Sequence, residues 1–322
     1  MSLPWPNYTT EEWEVLLAEE DALSKGVSKQ FIERVKGGQG SGNFGHAGRP
    51  GEVGGSGAGG GASDYKVDSV KWDQKLDANG RPIPIKVDTV EEAIPLVLDG
   101  KVVEMPTVES AATLIGRLGQ MANEAKAAGK EAKNYDLCKV SVAGTNMFCG
   151  SPVHTAEFPN GIPRIKMPQF DGEPVPGSAA SKLPPVPWDK THVDASAQFI
   201  DYLKTSLAIN VTDASLPAAY LKASQAELVG TKVAKMMVDK SFDPASNPIF
   251  ISRDNYVIDG HHRWAAVVAR DAEDNRLGDI NMKVHIIDAP ISEVLHIANN
   301  WATGFGLRQA AGVKKSKILT EK

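Results

Sequence analysis

Apolar positions along the chain fall into short periodic runs, and the period changes several times between glycine- and proline-rich stretches. From Thr9 to Lys36, Trp13, Leu16, Leu17, Phe31, Ile32 and Val35 supply apolar faces. Thr9 or Thr10 can cap and Glu11 and Glu12 suit a first turn, so one or two short helices are expected there. Ile83, Ile85 and Val87 alternate like one face of a strand, which Pro84 would confine to a sheet edge. Lys101 to Val103 suits a second strand, and Val108 to Ala128 has helical spacing with Leu114, Ile115, Leu118 and Met121 on one face. Leu137 to Val142 and Asn146 to Cys149 read as a hairpin about Ala143-Gly144.

Ser196 to Lys240 reads as helical. Phe199, Ile200 and Leu203 make one stripe, Leu221, Leu228, Val233, Met236 and Met237 mark later turns, and Asp213 or Ser215 before Pro217 is a start signal. Pro248 to Ile251 then reads as a strand, Arg253 to Asn255 as a turn and Tyr256 to Ile258 as a second strand. A helix is expected from near His262, a strand from Asn281 to Ile287 and a helix from Ile291 to Trp301. The order describes an α+β unit of roughly 100 residues.

Composition divides the 322 residues further. Of 30 glycines, 13 fall between Gly37 and Gly61, and 9 of the 20 prolines fall between Pro152 and Pro187. The expected organisation is a helical leader over 1–36, a flexible linker over 37–63, a mixed region over 64–187 whose Pro-rich end drapes over a surface or connects domains, and the α+β unit over 188–322. A hydrophobic content of 42% suffices for real cores, and a net charge of −5 argues against coating nucleic acid by bulk charge. The basic tail Lys314-Lys-Ser-Lys317 reads as a solvated end that could touch DNA. No run approaches the roughly 20 apolar residues that span a bilayer, so no membrane partner and no export are expected. Cys138 and Cys149 are too few for a disulfide scaffold or a four-ligand zinc site.

The densest chemistry is Asp259-Gly-His-His-Arg-Trp-Ala-Ala266, between an apolar strand and an amphipathic helix. Gly260 permits a tight turn, after which the first unpaired N–H groups of the helix and its dipole favour an anion. Arg263 with His261 or His262 can add forked or titratable donors to phosphate, and Asp259 can hold a magnesium ion beside it or orient a histidine. Adjacent histidines at a strand end can instead simply cap the helix and bond the backbone. Zinc is disfavoured, because neighbours in sequence do not share a helix face as an i, i+4 pair does.

Two resemblances follow from these strings. The segment Pro248 to Ala266 resembles the second signature box of the ParB/sulfiredoxin-like superfamily, and Ala223-Ser-Gln-Ala-Glu-Leu-Val-Gly-Thr-Lys-Val-Ala-Lys-Met236 resembles its first box. Sulfiredoxins carry cysteine where this chain has His261, so sulfinic acid reduction is not implied. Chromosome-partition members have an arginine-rich box and a downstream helix-turn-helix domain, for which the roughly 55 residues after Ala266 leave little room. The Asp-Gly-His-His-Arg form is similar to the branch of phage ParB-like proteins and the ADP-dependent free serine kinase. Separately, Gly42-Asn-Phe-Gly-His-Ala-Gly-Arg-Pro-Gly-Glu-Val-Gly-Gly-Ser56 resembles a stretch of tailed-phage head proteins.

The superfamily resemblance implies nucleotide phosphates (ATP, ADP or CTP) at Gly260, His261, His262 and Arg263, with Gln225 and Lys232 as further contacts. It implies Glu227 as general base toward an acceptor hydroxyl, Asp259 and His262 as catalytic partners, and Asp259 as a magnesium contact. The expected activity is phosphoryl transfer or nucleotide hydrolysis; a DNA-binding nuclease and a non-enzymatic capsid-associated protein are the alternatives. The head-protein string implies a phage virion or host cytoplasm, with residues 1–36 docking on a head or portal component.

Overall fold

The computed structural model describes residues 74–308, apart from 79–80, 133, 146, 149–161, 188 and 275. The expected leader over 1–36, the glycine run with its head-protein string and the tail at Lys314 to Lys317 therefore lie outside the described residues.

Two crossovers build the amino-terminal part: β1 (Ile85–Lys86), α1 (Val90–Leu98), β2 (Val103–Met105), α2 (Val108–Ala127), β3 (Tyr135–Asp136) and β4 (Val140–Val142). Strands β1, β2 and β4 form a parallel sheet in that order, and parallel neighbours need crossover connections, which here contain α1 and α2. Pro84 directly precedes the edge strand β1, where no ladder bond is asked of it. The sequence pattern did not announce α1, since Pro95 lies inside it. Its start is nonetheless tightly capped: Glu92 N donates to Thr89 Oγ1 and Asp88 N donates to Glu92 Oε2. Among the described residues the hairpin about Ala143-Gly144 is not seen, and Phe148 instead bridges Ala223. Leu137–Lys139 is a 3-10 turn, and β4 lies parallel to β2 with Val140 and Val142 buried opposite Val103 and Met105.

Downstream come β5 (Asp171–Gly172), β6 (Pro185–Val186), β7 (Asp189–Asp194), α3 (Ser196–Ser206), β8 (Val211–Pro217), β9 (Glu227–Leu228) and α4 (Gly230–Val238). They are followed by β10 (Ile249–Ser252), β11 (Val257–Asp259), α5 (His261–Asp271), β12 (Asn281–Ile287) and α6 (Ile291–Phe305). The described residues are thus a mixed α/β fold, compatible with the α+β class. The main sheet has the order β11-β10-β12-β8, and β3 pairs with β9.

The helical reading of 196–240, with its start signal at Asp213 or Ser215, is corrected by β8. Ala208 takes a positive φ of 53° after α3, and the chain then pairs antiparallel with β12 from Val211↔Ile287 to Pro217↔Asn281. Pro217 is tolerated because β8 is an edge strand. The Pro-rich stretch is likewise more than a drape: β5, β6 and β7 form a small sheet, and Phe170 is fully buried, stacked 4.4 Å from Phe199.

Side chains alternate across a strand, and β10 uses both faces. Phe250 meets Phe170 and Phe199 of the layer that holds α3 and α6, while the side chain of Ile249 lies beside Gly260 at the start of α5. Helix α2 packs on α4 and α5, so the small parallel sheet is tied to the main one by helices. One hydrophobic core runs from Val87 to Ala298 and crosses the boundary expected at 187/188 without interruption. Cys138 is disulfide-bonded, and the chain's other cysteine, Cys149, lies outside the described residues. Among the described residues no helix is long and apolar enough to cross a membrane.

Gly116 marks a close helix approach, since a Cβ there would sit 3.0 Å from both Ala269 Cβ and Met237 Cε. Overpacking of this kind costs about 1–3 kcal/mol. Gly116→Val is expected to lower stability by about that amount in urea titrations; an unchanged midpoint would show that α2 does not hold α4 and α5 as described.

Candidate functional site

The strand-to-helix junction depends on one backbone conformation. Gly260, the N-cap of α5, has φ 105°, and a Cβ at this position would run into the Ile249 side chain. The turn leaves the first-turn N–H groups of α5 outside the helical ladder, the first bond back being Trp264 N to Gly260 O at 2.9 Å. Trp264 anchors the helix from below: it is fully buried and its indole N–H donates to Ala218 O at 2.9 Å.

Both histidines face the segment that resembles the first box. His261 is buried, and its Nε2 accepts from Ser224 N and Gln225 N, each at 3.1 Å. His262 Nε2 accepts from Val229 N at 3.0 Å, the residue that caps α4. An Nε2 that accepts cannot carry a proton, so both rings are neutral with the proton on Nδ1. Burial pushes each pKa down to about 3, and for His262 the nearby Arg164, Lys232 and His261 add to the effect. In this arrangement the Nε2 atoms position the backbone of 224–229, and Nδ1–H is the donor each neutral ring retains. Gln225 belongs to the same arrangement, since it is buried and its side-chain amide donates to Glu227 O.

Charged side chains surround this clamp. Arg164 lies within electrostatic range of Glu227, Asp259 and His262, and its backbone N donates to Glu227 Oε2 at 3.3 Å. Lys232, on the first turn of α4, interacts with Arg164 and Asp171, and burial followed by Arg164 holds its pKa down. Arg263 Nη1 donates to Asn247 O at 3.0 Å and Pro248 O at 3.3 Å, so part of its fork is spent on backbone. Asp259 is pushed up by burial, with Arg263 and the N–H groups of Phe170 and Gly260 pulling the other way. Three cations, Arg164, Lys232 and Arg263, thus balance three carboxylates, Glu227, Asp259 and Asp171.

The sequence reading missed Arg164, Asp136 and Lys139. Arg164 sits in the Pro-rich stretch, where its only signal was a basic residue among apolar neighbours. Asp136 is the register partner of Glu227 across β3 and β9, and burial raises its carboxyl to about 6 despite Lys139 and the Cys138 N–H. Among the described residues no group of three or more His, Cys, Asp or Glu is placed to hold a metal ion. Asp259 alone fits magnesium only in the way that ion usually binds nucleotides, through one or two carboxylates together with phosphate oxygens and water.

No family model, curated protein or solved structure matches the chain.

The histidine geometry fixes a pH dependence. Both folded pKa values lie below the unfolded value near 6.5, so their contribution is complete above pH 6.5 and is lost as pH falls toward 3. Asp136 works the other way, since its folded carboxyl titrates at about 6 and takes up a proton before the unfolded one does. The share of His261 is isolated by comparing the protein with His261→Gln in urea titrations. Their stability difference should shrink by up to about 1.4 kcal/mol per pH unit between pH 6 and 4; a pH-independent difference would contradict a neutral His261.

Proposed function

We propose that the chain binds the phosphates of a nucleotide at the first turn of α5 and carries out phosphoryl transfer or nucleotide hydrolysis there. What carries the reading is the convergence of Arg164 and Lys232 with Glu227 and Asp259 on that turn. Two helices also begin side by side there, since the cap of α4 is bonded to His262 in the first turn of α5. Helix starts favour anions, and added guanidinium and ammonium groups disperse phosphoryl charge.

In this reading Arg164 and Lys232 hold phosphate, Arg263 assists with whatever donors the carbonyls of Asn247 and Pro248 leave, and Glu227 accepts the proton of an acceptor hydroxyl or water. Asp259 would hold a magnesium ion, which would supply positive charge against the phosphates. The histidines keep Ser224, Gln225 and Val229 in place, which sets the position of Glu227. The ParB/sulfiredoxin-like architecture, a phage virion setting and docking of residues 1–36 on a head or portal component belong to the same proposal and rest on the sequence strings.

One observation favours a second, non-catalytic reading in which the junction serves folding and a capsid contact: both histidines and part of the Arg263 fork are already spent on backbone groups. Calorimetry with ADP, ATP and CTP in magnesium separates the two. The first reading expects binding by the folded protein, weakened about 10-fold or more by Arg164→Gln or Lys232→Gln, since a charge-assisted hydrogen bond contributes about 1.5–3 kcal/mol. Glu227→Gln should keep binding and lose turnover by about 100-fold or more. A folded protein that binds and turns over none of them would overturn it.

A further inference from the structure

Away from α5, on the other face of the main sheet, α3 and α6 border an open groove of about 490 Å³. Gln198, Asp201, Tyr202 and Thr205 recur at helical spacing along α3, and Trp301 and Phe305 stand one turn apart on α6. This volume is in the range of small-molecule sites, which combine apolar and aromatic walls with a few polar groups.

The walls are aromatic, and Gln198, Asp201 and Thr205 add acceptor oxygens beside the hydroxyls of Tyr202 and Ser206. Trp301 stacks on Phe305 at 4.7 Å and 12°, and lies 6.3 Å from Tyr202. Behind it, Trp301 packs on Phe199 at 5.0 Å, so its ring is held by the core while still lining the groove. Gln198 Oε1 is buried without a hydrogen-bond partner among the described residues, a condition that costs about 1–3 kcal/mol. Asp201 adds an exposed carboxylate, and the Thr205 hydroxyl proton is committed to Asp201 O at 2.8 Å, which leaves its oxygen as an acceptor. No lysine or arginine is among the residues that line the groove.

A site with π faces, a carboxylate and an acceptor in want of a donor asks for a cation that carries N–H groups on an apolar stem. We propose that the groove between α3 and α6 binds a small organic cation of this class, a primary ammonium or guanidinium, with its stem over Trp301 and Phe305 and its N–H groups on Asp201 and Gln198. The buried Oε1 of Gln198 is the acceptor that the ligand's N–H groups would satisfy. The site is independent of the nucleotide reading, because none of its lining residues belongs to the α5 cluster.

The test titrates the full-length protein with n-butylammonium, n-butylguanidinium, tetramethylammonium and n-butanol, followed by calorimetry and by the indole N–H signals in NMR. Both N–H cations should bind at least 10-fold more tightly than butanol and shift one indole signal, and tetramethylammonium should fall between. Asp201→Asn and Gln198→Leu should each weaken butylammonium at least 5-fold with the circular dichroism spectrum unchanged. Equal binding of butanol and butylammonium would reduce the groove to an apolar crevice and overturn the proposal, as would affinity that ignores both substitutions or no binding of any probe. Nα-acetyl-lysine amide binding more than 10-fold tighter than butylammonium would place the cation on a polypeptide and overturn the small-molecule assignment.

Discussion

Two neutral imidazoles hold the middle of this molecule together by accepting backbone N–H groups. His261 takes those of Ser224 and Gln225, and His262 takes that of Val229. The clamped segment is also where otherwise distant pieces meet: Ala223 N donates to Met147 O, Ala226 N to Ile162 O, and Leu137 N to Ala226 O. Val257 N of β11 donates to Lys222 O, and the Ser224 hydroxyl donates to Val257 O. Losing one imidazole would leave buried amides without acceptors, each at a cost of about 1–3 kcal/mol. β3, β9, α4 and α5 meet at this segment, and these bonds join the shared hydrophobic core in setting their relative positions.

The clamp explains the division of labour around it. Because the rings are uncharged, positive charge at the junction has to come from Arg164, Lys232 and Arg263, and each arrives on a different element. Formal neutrality of the cluster means that an incoming polyphosphate adds net negative charge, which magnesium at Asp259 would offset in the proposed chemistry. Across β3 and β9, Asp136 stands opposite Glu227 with its carboxyl titrating at about 6, so the environment of the proposed base itself changes near neutral pH.

The sequence was most informative where local pattern and tertiary demand coincide. Strand β12 matches its expected span from Asn281 to Ile287, and α2 begins at Val108 as its spacing indicates, where Thr107 and Ser110 form a reciprocal cap. Where tertiary pairing decides, the pattern misled: 211–217 carries helix-start signals, yet an edge position beside β12 makes it a strand. The junction at Asp259 to Arg263 was legible because glycine before a charged helix start is a local signal. The role of the histidines was not, because it rests on burial and on N–H groups from residues 33 to 37 positions away in the chain. Arg164 and Asp136 were invisible for the same reason, since only folding brings their stretches to Glu227.

Ring protonation reports the clamp without reference to any ligand or activity. The direct measurement is the long-range proton–nitrogen NMR correlation of the histidine side chains in uniformly labelled protein, followed from pH 7.5 to 4.5. The account predicts that His261 and His262 both carry the proton on Nδ1 and stay neutral through that range. Imidazolium signals for either ring at pH 6, or a proton on Nε2, would contradict it.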